Sequence, residues 1–229
     1  MRQLFALLLG GIVFTSSSAS TTDGIAAYNT GNYAVAFREF SAAANSGSAE
    51  GKHLLASLYY QGHGVERDLK RAVALFTEAA AANYPPSLAN LALMYSNGDG
   101  VPKDMNVAVQ YGIKAAQTGD VQSQFNLAQA YRKGAGVVQD YSKAAYWYRK
   151  AAEAGSQSAQ NEYGLLFAQG HGVPRDYVKA YAWIDMPASA GDPQSIKNKA
   201  QLLQILDASQ QKQAVKLAAE YAVKYGLKR

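Results

Sequence analysis

The chain has 229 residues, 48 % of them hydrophobic, with no cysteine and a formal net charge of +5. This length and apolar fraction predict one folded domain or two small ones. The lack of cysteine excludes disulfides, thiol catalysis and cysteine-based zinc sites. The charge is uneven: residues 21–191 hold 14 basic and 14 acidic side chains, and residues 192–229 hold 7 basic and 3 acidic. A neutral body argues against nucleic acid, whose binders present a basic face.

Residues 1–20 read as an export signal. Arg2 precedes an apolar run of 11 residues, 4–14, and "TSSSAS" follows with small residues at cleavage spacing. As helix the run reaches about 16 Å, short of the roughly 30 Å hydrocarbon core, so it does not read as a membrane span. The expectation is a cleaved signal, an exported chain (periplasmic or secreted) and no integral membrane segment. Next comes "GNYAVAFREFSAAANSG", residues 31–47, with Ala36, Phe40 and Ala43 at helical spacing.

From residue 47 the chain repeats itself. Gly62/Gly64, Gly98/Gly100, Gly134/Gly136 and Gly170/Gly172 recur every 36 residues. Val65, Val101, Val137 and Val173 keep that register, as do Asp68, Asp104, Asp140, Asp176 and then Ala72, Ala108, Ala144, Ala180. Each copy holds two apolar-periodic segments. In the third, "SQFNLAQAYRKG" and "DYSKAAYWYRKAAEAG" space their apolar residues by three and four, which predicts two helices around a glycine loop. The aspartates read as N-caps of the second helices, and Gly155 as the stop of one. Neighbouring pairs must stack to bury both faces, as in a solenoid. The copies are residues 47–83, 84–119, 120–155 and 156–191.

The pattern A-x-x-L-A-x-x-Y-x-x-G-x-G-V-x-x-D-x-x-K-A, closing in A-A-x-x-G, resembles the Sel1-like repeat, a relative of the tetratricopeptide repeat. The resemblance implies an all-α fold: a right-handed α/α superhelical solenoid used as a scaffold for other proteins. "YNTGNYAVAF" is similar to the shorter tetratricopeptide turn, so residues 21–46 are expected as a variant first repeat. In the fourth copy Pro187 stands where the others carry alanine, which predicts a kink or an end near Met186. Residues 192–229 give two further helices that resemble the C-terminal caps of exported members. Asp207 with Gln210 reads as a capping box, and Gly226 as the final stop.

The search for chemistry yields little. "GHGVERD" and "GHGVPRD" lack the Gly-Lys-Ser/Thr of a phosphate loop, and their glycines suit tight turns. His63 and His171 lie three repeats apart, roughly 30 Å at one helix diameter per repeat, so they cannot share a zinc held at about 2 Å. The recurring aspartates read as caps rather than as a carboxylate pair for glycoside hydrolysis. No catalytic residue, metal or cofactor is expected.

What remains is surface. The tetratricopeptide resemblance implies that the first helix of each pair lines a concave face. Its outward positions are His53, Ser57 and Tyr60; then Ala89, Leu93 and Ser96; then Phe125, Gln129 and Arg132; then Asn161, Leu165 and Ala168. The candidate partner-binding groove is His53, Tyr60, Phe125, Gln129, Arg132 and Asn161. Phe125 has two readings, an anchor for the partner or packing on the neighbouring helix. The expected function is an exported scaffold that binds a protein or peptide on that face. The alternatives are a cell-wall (peptidoglycan) binding or modifying protein, an association known for some family members, and a secreted factor acting on host proteins.

Overall fold

A computed structural model describes residues 21–225; the export-signal reading of residues 1–20 and the expected stop at Gly226 lie outside the described residues. Within them the chain forms twelve helices. The first pair is α1 (Thr21–Asn29) and α2 (Tyr33–Asn45), joined by a short turn. Four pairs of like geometry follow: α3 (Ala49–Gln61) with α4 (Leu69–Ala81), α5 (Pro85–Asn97) with α6 (Met105–Gln117), α7 (Val121–Lys133) with α8 (Tyr141–Glu153), and α9 (Gln157–Gln169) with α10 (Tyr177–Ser189). The chain ends with α11 (Pro193–Ile205) and α12 (Ala208–Tyr225). From α1 to α10 each helix packs on its partner within the pair and on the next helix along the chain, and α11 and α12 both pack on α10. The all-α class and the stacked helix pairs agree with the sequence.

The boundaries have local causes. Asp68, Asp140 and Asp176 each accept a hydrogen bond at 2.9 Å from the backbone N–H three residues on, at Arg71, Lys143 and Lys179. Asp104 accepts from Asn106 and Val107. These caps satisfy donors that a helix start leaves free. The first helices stop on the first glycine of each loop; Gly98 sits at φ +88° and donates its N–H to Met94 O at 2.8 Å. Each loop closes when its aspartate N–H donates to a carbonyl nine residues back, at Tyr59, Tyr95, Tyr131 or Phe167.

The second glycine of each loop does a different job. It rests against the start of the second helix of the preceding pair. A Cβ on Gly100, at φ +73°, would lie 2.7 Å from both the backbone and the Cβ of Leu69. Where a histidine stands between the glycines, a tyrosine opens the preceding second helix. His63 stacks on Tyr33 and His171 packs on Tyr141, each at 4.5 Å between ring centroids.

Alanines form the seam inside each pair. Ala56, Ala72, Ala128, Ala144 and Ala180 are 0 % exposed, which allows close helix approach. Aromatic and aliphatic rings fill the layers between them.

Two tail features depart from expectation or extend it. Pro187 neither ends nor breaks α10, which runs on to Ser189, the same register as α4, α6 and α8. The missing proline donor falls in the last turn, so a single helical bond is lost, and the ring is fully buried. Helix α11 occupies the register of a fifth first helix, beginning 36 residues after α9. Asp192 caps it as Asp120 caps α7. Helix α12 then folds back on α10, setting Tyr221 and Tyr225 at 4.8 and 5.1 Å from Trp183. The capping box forms: Asp207 Oδ1 accepts from Gln210 N at 2.9 Å, and Gln210 Oε1 from Asp207 N at 3.1 Å.

Candidate binding groove

The face shared by α3, α5 and α7 is not filled. A cavity of about 670 Å³ opens between α5 and α7, with α6 as its floor. Leu93 and Ser96 line it from α5, Gln122, Ser123 and Asn126 from α7, and Val109 and Gly112 from α6. A smaller cavity of about 130 Å³ adjoins it between α3 and α5, lined by Ser57, Tyr60 and Phe76. Asn90 and Leu93 belong to both, so the two form one groove. Leu93 is 52 % exposed at their junction, a large apolar side chain left without cover.

His53 closes one side of the larger cavity. Its Nδ1 lies 2.9 Å from Ser87 Oγ, and its ring packs 5.3 Å from Phe76 and 5.2 Å from Tyr84. Burial pushes its pKa down to about 4, against a smaller opposing effect of the Glu50 carboxylate. The ring is therefore neutral at pH 7. Tyr60 lies in the smaller cavity and donates to Asp99 Oδ2 at 3.2 Å. Burial, then the Asp99 charge, raises its pKa.

The other sequence candidates are placed elsewhere. Phe125 turns edge-to-face onto Tyr148 at 5.7 Å and packs in the core between α7 and α8. Of its two readings, packing on the neighbouring helix is the one observed. Arg132 donates from Nε to the Tyr148 hydroxyl at 3.2 Å. That hydroxyl is pushed up to about 12, first by burial and then by the Glu162 carboxylate. Asn161 is buried, and its Oδ1 accepts from Ser195 Oγ at 3.2 Å and Asn198 Nδ2 at 2.9 Å. Helix α11 thus consumes it. Gln129 is half-buried and lines neither cavity. The structure brings His53 and Tyr60 together on the groove and uses Phe125, Arg132 and Asn161 to build the repeats beyond it.

The groove residues that escaped the repeat-average reading include Gly112, Ser123 and Asn126. Gly112 carried a signal, because it stands alone where every other copy has a large side chain. Among the described residues no cluster of three metal-ligating side chains occurs, and no helix is long and apolar enough to cross a membrane.

The Sel1 repeat family profile matches residues 49–84, 85–120, 121–156 and 157–192, more than half the chain. The chain belongs to the Sel1 repeat family. Among solved structures, a Sel1 repeat protein from Oxalobacter formigenes superposes with a TM-score of 0.78 at 26 % identity, covering 91 % of this chain and 93 % of that one. A protective antigen of uropathogenic Escherichia coli with the same fold gives a TM-score of 0.74 at 32 % identity over 89 % of this chain. This chain spans 46 % of that antigen's length. No curated protein matches the chain. Helices α1 and α2 precede the first matched Sel1 repeat, and α11 and α12 follow the last.

Proposed function

We propose that this Sel1 repeat protein is an exported, non-catalytic scaffold that holds a peptide segment of a partner protein in the groove of α3, α5 and α7. The observation that carries the reading is the continuous groove itself. It has a large exposed leucine at its centre and a lining whose single carboxylic side chain is Asp120, with no lysine or arginine. Apolar floors with a few polar rim groups suit a peptide's side chains and backbone. Export is supported by the signal pattern in residues 1–20 and by the likeness to a protein described as a protective antigen.

A photo-crosslinking residue placed at position 93 tests the groove, with position 215 on exposed α12 as control. The expected result is a discrete adduct in cells from position 93 and none from position 215. Equal labelling from both positions, or none from position 93, rejects the groove. Mass spectrometry of the mature N-terminus tests export; a chain that retains residues 1–20 rejects it.

A further inference from the structure

One internal position is filled in every copy but one. The second helices carry Phe40, Phe76, Tyr148 and Ile184 at 36-residue multiples, all 2 % exposed or less. The corresponding residue of α6 is Gly112. A Cβ added there would meet nothing within 4 Å. The facing position of the first helix changes with it. His53 packs on Phe76 and Phe125 on Tyr148, but the second copy has Ala89 opposite Gly112. Both halves of the pair are missing at once. Their absence uncovers Ala92, whose counterparts Ala56 and Ala128 are 0 % exposed.

A second, independent observation comes from the hydroxyl beside this gap. Ser87, Ser123 and Ser195 share one register. Ser87 pairs with His53, and Ser195 with Asn161. Where the facing residue is Phe125, the serine is replaced by Ala159, so apolar meets apolar. Ala89 breaks the rule: it leaves Ser123, which is 5 % exposed and lines the cavity. The Ser123 backbone N–H donates to Asp120 Oδ1 at 2.7 Å, and among the described residues its hydroxyl has no hydrogen-bond partner. The hydroxyl is not sealed away, since Gln124 Oε1 is the one fully buried side-chain polar atom without a partner among the described residues, so the Ser123 hydroxyl is open to a ligand in the cavity.

We propose that the cavity is a receptor for one aromatic side chain bearing a hydrogen-bonding group (tyrosine, tryptophan or histidine) on a partner peptide. The ring enters the space left where the His53–Phe76 and Phe125–Tyr148 pairs stand in the neighbouring repeats. Its polar edge reaches the Ser123 hydroxyl, as His53 reaches Ser87. This rests on the peptide-binding reading above and names what the groove selects. Charge sets the flanks. The lining holds Asp120 and no lysine or arginine, so an acidic residue beside the ring finds no cation and a neutral or basic one is favoured. The carboxamides of Asn90 and Asn126, one repeat apart on the two sides, are placed for the peptide backbone.

The test pans a phage-displayed random peptide library on the purified chain and measures enriched peptides by fluorescence polarisation. Enriched sequences are expected to share one tyrosine, tryptophan or histidine. Changing it to phenylalanine should weaken binding roughly tenfold by leaving Ser123 unpaired, and changing it to alanine should weaken it further. Gly112→Phe and Ala89→His copy the neighbouring repeats, so each should lower affinity at least tenfold while keeping the melting temperature at or above native. Ser123→Ala should erase the preference for a polar ring but retain the phenylalanine peptide. Peptides lost on Leu93→Arg yet unaffected by both filling variants would overturn the aromatic receptor and leave the groove standing. Peptides indifferent to all three variants, or no enrichment at all, would overturn the groove reading together with it.

Discussion

The second and third repeats share a backbone plan and differ in what they put inside it. In the third, Phe125 and Tyr148 meet edge to face, and Arg132 holds the tyrosine hydroxyl. In the second, Ala89 and Gly112 leave about 670 Å³ open to the same face. The aspartate caps of the second helices, the loop glycines and the helix lengths are alike in both. The difference shows that helix termini and loops define this fold, so the interior of a single repeat can be emptied without loss of architecture. That separation lets one repeat serve as a site while its neighbours serve as frame.

The comparison can be broken most forcefully by carrying the gap into the third repeat. Tyr148→Ala should cost about 3–5 kcal/mol, because a fully buried ring is removed from a packed site. Urea unfolding measures it, and a loss below about 1 kcal/mol would mean that repeat 3 is no better packed than repeat 2. Two glycines of the second repeat should then respond in opposite directions. Gly100→Val should cost about 3 kcal/mol, since its φ of +73° strains a β-branched residue and its Cβ strikes Leu69. Gly112→Ala should raise stability by about 0.5–1 kcal/mol, since it replaces a helical glycine that faces open space. Two losses of equal size would refute the distinction between a loop glycine and a gap glycine.

A further effect concerns pH and uses the first Sel1 repeat. His53 titrates near 4 when folded, below its ordinary 6.5. Between those values the unfolded chain binds the proton and the folded chain does not, so stability falls as pH drops through that window. His53→Ala copies Ala89 and should flatten the fall in melting temperature between pH 6.5 and 4.5. Parallel curves for the two proteins would show that burial of His53 does not govern the response.

Most of the frame was legible from the chain, because frame residues recur. Asp68, Asp104, Asp140 and Asp176 are caps in every copy, and the loop glycines have positive φ in every copy. A repeated residue reports a repeated physical demand. The groove was only half legible for the same reason. Averaging over copies placed Phe125 and Arg132 beside His53, but whether such a side chain faces a partner depends on the residue opposite it. Tyr148 draws both inward, and no ring stands at Gly112 to do the same. Asn161 was obscured by α11, whose place as a fifth first helix the tail lacks a glycine loop to announce. Pro187 misled because its position inside a copy mattered less than its distance from the helix end.

The loops also give the stack a grain. Each second glycine leans on the pair before it: Gly64 on Tyr33, Gly100 on Leu69, Gly136 on Met105 and Gly172 on Tyr141. Peeling away α11 and α12 would unseat none of these contacts, whereas peeling away α1 and α2 removes the seat of the Gly64 loop. Damage entering from the amino-terminal side therefore has a route from one repeat to the next. Damage from the other side must first part Trp183 from Tyr221 and Tyr225, and it then finds no glycine loop that depends on what was lost.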